Sequence, residues 1–181
     1  MGAGRNLHLV FSTPPPEIRD DMYNAWYDYH VYEILRTPGY DAVRRYEITP
    51  RAGTREPATK RFVSVYAIGD DLPQAAEDLA AERDNMDLPR WFGGIRFASW
   101  VAGLSPGYDA PVLADRLSFV FSGEPAEVAA DWRFGVTAST RPDGAPPMKH
   151  LALSRQAGPV PDRDDITAVE GRAIGDRIES A

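Results

Sequence analysis

The order in which apolar patterning changes along residues 6–104 is the strongest constraint on the fold of this chain. Runs typical of strands occur at residues 6–12, 40–48, 61–68 and 91–104. Two segments with apolar residues at helical spacing, residues 16–36 and 72–83, lie between them. A Pro-Pro-Pro run before the first helix and a Pro-Gly pair after it mark its ends. The predicted order is therefore β-α-β-β-α-β.

This order is that of a ferredoxin-like α+β fold with an antiparallel sheet. We predict such a domain over residues 1–105, followed by a C-terminal extension. Residues 106–157 are expected to add strands or a partial repeat packed on the domain, and residues 158–181 to form a mobile or weakly helical tail. Within the extension, the patterns predict strands at residues 117–122 and 149–154, helices at 125–132 and 166–178, and a turn-rich loop at 140–147.

The composition excludes several classes of function. The 181 residues include no cysteine, which rules out disulfides, thiolate metal sites and cysteine nucleophiles. A net charge of −7 argues against nucleic acid as a partner. No run reaches the roughly 18 apolar residues of a membrane-spanning helix, and the N-terminus lacks the apolar region of a secretory signal. The sequence thus predicts a cytoplasmic protein with neither a membrane nor a nucleic-acid partner.

Motifs of the common cofactor and nucleophile sites are missing as well. The chain has no phosphate-binding loop, no dinucleotide fingerprint in a strand context and no G-x-S-x-G nucleophile elbow. Its three histidines are scattered, so a His-rich metal centre is not expected. We therefore expect neither a metal nor a cofactor.

Residues 24–46 form the most informative stretch. A predicted helix with W-Y-x-x-H at residues 26–30 leads through Pro38-Gly39 into a strand that reads R-R-Y at residues 44–46. This arrangement resembles the dimeric α+β barrel superfamily, particularly its EthD-like branch. The match is good over this stretch and the entry strand, and the element order extends it loosely to about residue 105. Residues 106–181 lie outside it.

The resemblance implies that two subunits pair their sheets into a barrel, so a homodimer is the expected assembly. It also implies a small-molecule pocket in each subunit, between the sheet and the helices. The motif histidine falls on His30, and in several relatives a histidine in this region handles protons. Tyr29, Tyr32 and Tyr40 depart from the residues that are usual around the motif, so the substrate is not fixed by the resemblance.

The residues around His30 support a proton-transfer role independently. Helical spacing predicts one apolar face that contains Ile18, Met22, Tyr23, Trp26, Tyr29, His30 and Ile34. Partial desolvation in an aromatic wall lowers the pKa of an imidazole and favours its neutral form. A neutral imidazole can remove a proton from an activated carbon or phenol near pH 7. The alternative is a structural histidine bonded to a backbone carbonyl or to Glu33.

His8 is the second candidate. It shares one face of the first strand with Asn6 and Val10. If this face points at the helices, Asn6 and His8 lie opposite His30 at a polar end of the pocket. If it points into a dimer barrel, they are interface groups.

We predict His30 and His8 as catalytic residues. The residues predicted to bind the substrate are Trp26, Tyr23, Tyr27, Ile34, Asn6 and Tyr66. The favoured function is a cofactor-independent enzyme of the lyase or isomerase type. It would cyclise, dehydrate or isomerise an aromatic or polyketide-like molecule by histidine acid–base catalysis. A cofactor-free monooxygenase of phenolic substrates and a non-catalytic accessory protein that binds a hydrophobic ligand are the alternatives.

Overall fold

The computed structural model describes residues 4–139 and 148–180, and most of the regular structure in this part of the chain is β-strand. The strands are β1 (Asn6–Thr13), β2 (Tyr40–Ala52), β3 (Phe62–Ile68), β4 (Arg96–Leu104), β5 (Arg116–Ser122), β6 (Trp132–Ser139), β7 (His150–Ser154), β8 (Ile166–Ala173) and β9 (Ile178–Glu179). The α-helices found in these residues are α1 (Asp20–Leu35) and α2 (Leu72–Glu82). Single helical turns follow at Arg83–Asn85 and Phe92–Gly94.

Eight of the strands close into an antiparallel barrel within one chain. Their order around the barrel is β3-β1-β4-β6-β7-β5-β8-β2, and β2 returns to pair with β3. The N-terminal and C-terminal halves join twice, where β4 pairs with β6 and where β2 pairs with β8. The two-residue strand β9 lies beside β2.

This architecture shows that the predicted fold class is wrong. A ferredoxin-like α+β sheet that pairs with a second subunit was expected, and the chain instead forms a mostly β, closed eight-stranded barrel with two helices. The assignment to the dimeric α+β barrel superfamily and its EthD-like branch is wrong for the same reason. Strands β2 and β4 pair with β8 and β6 of the same chain, so the barrel closes without the sheet of a second subunit.

The C-terminal half accounts for most of the local errors. Strands predicted at residues 117–122 and 149–154 are confirmed by β5 and β7. The helix predicted at residues 166–178 is wrong, because residues 166–173 form β8, whose pairing with both β5 and β2 overrides a weak helical pattern. No helix forms over residues 125–130, which have no regular structure. The loop predicted at residues 140–147 lies outside the described residues, and the domain boundaries at residues 105 and 157 stay a prediction.

The barrel interior is filled by side chains from alternate positions of the strands. Leu7, Leu9 and Phe11 of β1 point inward and have no exposed surface. The Phe11 ring lies 5.1 Å from Trp100 and 5.8 Å from Phe121, between ring centroids. Eight strands enclose a space just wide enough for such side chains to fill. The centre of the barrel is therefore a packed core.

The helices lie on the outer face of the N-terminal half and form a second apolar layer. Tyr27 and Val31 of α1 pack with Tyr66 and Ile68 of β3 in this layer. Every residue of β3 is buried, so both faces of this strand are covered. Any ligand space on this side must lie between the helices and the sheet.

The buried face of α1 differs from the predicted one. Met22 and Tyr29 were expected on it but are 48% and 53% exposed. The face that meets the sheet carries Tyr23, Tyr27, His30, Val31 and Ile34. The helix also begins at Asp20, later than predicted, because Pro15 and Ile18 form a hydrogen-bonded turn before it.

The C-terminal half of the barrel has no helical cover in the described residues. Ala126 and Val128, from the segment before β6, pack on Val120, Ala152 and Ala168 of the outer sheet face. Arg133 holds this segment in place by donating hydrogen bonds to the carbonyl oxygens of Ala126 and Val128, at 3.1 and 2.8 Å. Within residues 4–139 and 148–180, no helix is long and apolar enough to cross a membrane.

The packed interior predicts that two Phe→Ala substitutions, one in the core and one on the outer face, lower the free energy of unfolding by very different amounts. Phe121→Ala removes a ring with no exposed surface from the barrel core, whereas Phe97→Ala removes a ring that is 36% exposed on the outer face. We expect Phe121→Ala to lower the free energy of unfolding by about 3–5 kcal/mol. Phe97→Ala should lower the free energy of unfolding by less than half as much, because the space left by the removed ring is open to solvent. Urea unfolding measures both, and equal losses would contradict the assignment of Phe121 to a packed core.

Candidate functional site

A cavity of about 590 Å³ lies between the two helices and the outer face of β1 and β4. Its walls are mainly apolar, with Val10 and Phe97 from the sheet and Leu79, Met86, Leu88 and Phe92 from α2 and the segment that follows it. The polar groups that line it are His8, His30, Tyr40, Ser99 and Arg83. The size and the small number of polar groups are typical of sites for small organic molecules.

His30 contributes one imidazole to this cavity from the buried face of α1. The residue is 6% exposed, and its ring stacks on Trp26 with centroids 4.7 Å apart and planes 18° from parallel. Its Nδ1 lies 2.9 Å from Oε2 of Glu33, one turn along the helix. The other carboxylate oxygen of Glu33 accepts the backbone N–H of Asp87 at 2.8 Å. Glu33 is therefore held in place from both sides and fixes the orientation of the ring.

This contact determines which nitrogen of His30 can react. A carboxylate only accepts hydrogen bonds, so Nδ1 carries the proton of the neutral ring. Nε2 has no hydrogen-bond partner among the described residues and keeps its lone pair. Burial lowers the pKa of His30 below its ordinary value, and the hydrogen bond and charge of Glu33 oppose this effect in part. The ring is thus neutral at pH 7, and it keeps an unpartnered basic nitrogen on a residue that lines the cavity.

His8 contributes a second imidazole from the sheet side. Its Nε2 lies 2.6 Å from Oγ of Ser99, and its Nδ1 lies 2.9 Å from the hydroxyl of Tyr40. Burial lowers the pKa of His8 from 6.5 to about 4, so this ring is also neutral at pH 7. Both nitrogens are engaged, which distinguishes His8 from His30.

The two hydroxyl partners of His8 leave one hydrogen free in either tautomer. A neutral imidazole has one N–H and one lone pair, so it donates to one hydroxyl and accepts from the other. If Ser99 donates to Nε2, the Tyr40 hydroxyl keeps its own hydrogen, and in the opposite tautomer Ser99 keeps it. Burial raises the pKa of Tyr40, so the phenol stays protonated. This cluster, His8, Ser99 and Tyr40, can therefore donate to an oxygen atom of a ligand.

The residues predicted to bind the substrate divide into two groups. Tyr27 and Ile34 line the cavity together with His8 and His30. Trp26 is not a lining residue but supports His30 from behind by stacking. Tyr23 is fully buried, and its hydroxyl donates to Ser12 at 2.6 Å.

Asn6 and Tyr66 have supporting positions. The Asn6 side chain donates to the carbonyl of Gly69 at 2.9 Å and accepts from the backbone N–H of Leu104 at 3.2 Å, so it ties neighbouring segments together. Tyr66 is fully buried next to His8, with ring centroids 5.9 Å apart. The roles of all these residues in binding and catalysis stay predictions.

Several site residues were missed by the sequence reasoning. Tyr40 was noted as a departure from the motif, and Ser99 was not singled out, yet both lie within hydrogen-bond distance of His8. The alternation of β1 and β4 puts His8 and Ser99 on the same face, and the cross-strand register pairs His8 with Val101 and Val10 with Ser99. That register depends on long-range pairing, which no local pattern in the sequence reveals.

The two arginines of the R-R-Y strand lie away from the cavity. Arg45 is buried under α1, bonds Asp28 and Asn24, and lies 4.3 Å from the centre of the Tyr27 ring. Arg44 bonds the carbonyl of Leu113 and the carboxylate of Asp115. Neither arginine pairs with Glu33, whose carboxylate bonds His30 and the backbone N–H of Asp87.

No assignment comes from metal geometry or from comparison with known proteins. Among residues 4–139 and 148–180, no group of three or more His, Asp or Glu side chains is arranged to hold a metal ion. No protein-family model, no curated protein and no solved structure matches the chain.

The contact between His30 and Glu33 predicts a shift in the titration of His30. Glu33→Gln removes the negative charge that partly restores the basicity of the ring, so the pKa of His30 should fall further. NMR titration of the imidazole resonances measures this change. Glu77→Gln, which removes an exposed carboxylate on α2 with no contact to His30, should leave the titration unchanged. An unchanged pKa in Glu33→Gln would show that the carboxylate does not act on the ring.

The neutral state of His8 predicts a loss of stability in acid. Its folded pKa of about 4 lies below the unfolded value, so the unfolded chain binds the proton more readily and stability falls as the pH drops below about 6.5. At pH 5 the loss attributable to His8 is about 2 kcal/mol relative to pH 7. Urea unfolding at several pH values should show a shallower decline in His8→Gln than in the wild-type chain. Parallel declines would contradict the low pKa, whatever the stability of the variant at pH 7.

Proposed function

We propose that this protein is a cofactor-independent enzyme of the lyase or isomerase type that removes a proton from a carbon next to a carbonyl group in an aromatic or polyketide-like molecule. The observation that carries the proposal is the environment of His30: its Nδ1 lies on Glu33, its Nε2 has no hydrogen-bond partner among the described residues, and the residue lines an apolar cavity. A base in this position needs a fixed tautomer and protection from bulk water, and both follow from the geometry.

The proposed reaction begins with transfer of the carbon-bound proton to Nε2 of His30. The electron pair of the broken C–H bond moves onto the carbonyl oxygen and forms an enolate. The carboxylate of Glu33 stabilises the imidazolium that results, as the acidic partner does in other carboxylate–histidine pairs. His30 then returns the proton to a different atom, which isomerises the substrate or completes a ring closure or dehydration.

The His8, Ser99 and Tyr40 cluster supports the same reaction from the sheet side. Its free hydroxyl hydrogen would donate to the enolate oxygen, where negative charge develops. His8 acts in this proposal as a positioning residue, because both of its nitrogens hold hydroxyl groups. The apolar walls contributed by α2 and Phe92 would hold the aromatic part of the substrate.

The location and assembly of the protein complete the proposal. We propose that it acts in the cytoplasm on a small-molecule substrate. The homodimer expected from the sequence stays a prediction, and closure of the barrel within one chain means that a second subunit is not needed to complete the sheet.

Deuterium exchange tests the proposal without knowledge of the natural substrate. The benzylic α-hydrogens of 2-tetralone, a fused aromatic ketone, are made acidic by both the ring and the carbonyl, and their exchange in D2O can be followed by NMR. We expect the protein to accelerate this exchange, and His30→Gln to slow the protein-catalysed rate by about 10²- to 10⁴-fold. Ser99→Ala should reduce the rate more modestly, because Tyr40 can still donate to the oxygen.

His150→Gln is the matched control, since His150 lies on β7 and does not line the cavity. It should retain the wild-type exchange rate, and circular dichroism should show that His30→Gln is folded. Equal rates in wild type and folded His30→Gln would overturn the catalytic role of His30. Binding of 2-tetralone without any exchange would instead favour the non-catalytic ligand-binding alternative.

A further inference from the structure

The charges around the cavity indicate what kind of ligand it accepts. His8 and His30 are neutral at pH 7, and the carboxylate of Glu33 is turned away from the cavity toward His30 and Asp87. Among the described residues that line the cavity, Arg83 alone carries a permanent charge. A cavity with apolar walls and a single cation selects for an apolar ligand with one anionic group.

Arg83 is also free to bind such a group. It follows the last residue of α2 and is exposed to solvent, and its guanidinium makes no hydrogen bond or ion pair with any described residue. Most other arginines with defined surroundings are engaged, including Arg19, Arg44, Arg45, Arg61, Arg155 and Arg163. An unpaired guanidinium at the edge of an apolar cavity offers a planar, two-pronged donor that matches a carboxylate.

The overall charge strengthens this interpretation. A chain with a net charge of −7 repels anions in general, so an anionic ligand needs a local cation to approach the cavity. Arg83 is exposed, whereas Ser99 and His8 at the other side of the cavity are buried. Arg83 therefore lies at the edge of the cavity, whereas the His8, Ser99 and Tyr40 cluster lies on its inner wall.

We propose that the substrate of this cavity is an aromatic carboxylic acid that also carries a carbonyl or hydroxyl oxygen, and that Arg83 determines this specificity by pairing with the carboxylate. The proposal rests on the function assigned to the cavity above and adds the class of substrate. The carboxylate binds Arg83 at the edge, the ring occupies the apolar middle, and the second oxygen reaches the His8, Ser99 and Tyr40 cluster.

The test compares two ligands that differ in charge alone. Isothermal titration calorimetry should show that 2-naphthoate binds the wild-type protein about tenfold more tightly than 2-naphthamide, because the paired charge is worth about one power of ten in affinity. Arg83→Gln should remove this preference and leave the affinity for the amide unchanged. Arg83→Lys should keep part of it, and added salt should weaken binding of the carboxylate alone.

Arg90→Gln provides the matched control, since Arg90 is an exposed arginine in the same segment that does not line the cavity. This variant changes the net charge equally and should keep the preference for 2-naphthoate. Equal affinity of wild type for the two ligands, or an equal effect of both substitutions, would overturn the assignment of Arg83 while the cavity remains a site for aromatic molecules. Binding of neither ligand would contradict both this proposal and the function proposed for the cavity.

Discussion

The filled interior of the barrel is the constraint on which the rest of the structure depends. Phe11, Trp100 and Phe121 meet at its centre with ring centroids 5.1 to 5.8 Å apart, and further apolar side chains, aromatic as well as aliphatic, fill the rest of the core. An eight-stranded barrel packed in this way has no room for a ligand at its centre. The cavity that can hold a ligand lies instead on the outer face of the barrel, between the helices α1 and α2 and the strands β1 and β4. The same strands thus serve two functions, since their inward residues form the core and their outward residues form the floor of the site.

His8 on β1 and His30 on α1 both line the cavity, and burial determines their chemical state. Desolvation keeps both imidazoles neutral, but the partners of each ring give it a different capacity. Glu33 bonds one nitrogen of His30 and leaves the other as a free base. Ser99 and Tyr40 bond both nitrogens of His8, and this contact orients the hydroxyl that keeps its hydrogen. The cavity therefore has a basic nitrogen on His30, a hydroxyl donor in the His8, Ser99 and Tyr40 cluster, and a positive charge on Arg83 at its edge.

Local pattern was enough to locate the elements of the N-terminal half and to single out His8 and His30, but not Tyr40, Ser99 or Arg83. Apolar patterning identified β1 and β3, helical spacing identified α1 and α2, and the position of His30 near Trp26, Tyr23 and Ile34 was visible from the helix alone. His8 was a second candidate because it shares a polar face with Asn6 opposite Leu7 and Leu9, but the local pattern left open which way that face points. These predictions depend only on spacing between residues close in sequence, so they do not require knowledge of the tertiary fold.

The errors came from long-range pairing. The strand β8 reads as a weak helix when it is taken alone, and only its place between β5 and β2 makes it a strand. Without β8 and β6, the edges of β2 and β4 looked available to a second subunit, which led to a dimeric α+β barrel in place of a barrel closed within one chain. The partners of His8 were missed for a similar reason, since Ser99 reaches it across a register set by the whole sheet.

The central claim is that the Nε2 atom of His30 is an unprotonated base directed at a ligand in the cavity. Long-range ¹H–¹⁵N correlation spectra of histidine-labelled protein report which nitrogen of each imidazole carries the proton. The account predicts that His30 at pH 7 is the tautomer protonated at Nδ1, and that its Nε2 resonance moves when an aromatic ketone is added. A proton on Nε2 in the free protein, or an Nε2 resonance that stays fixed while the ligand binds, would contradict it.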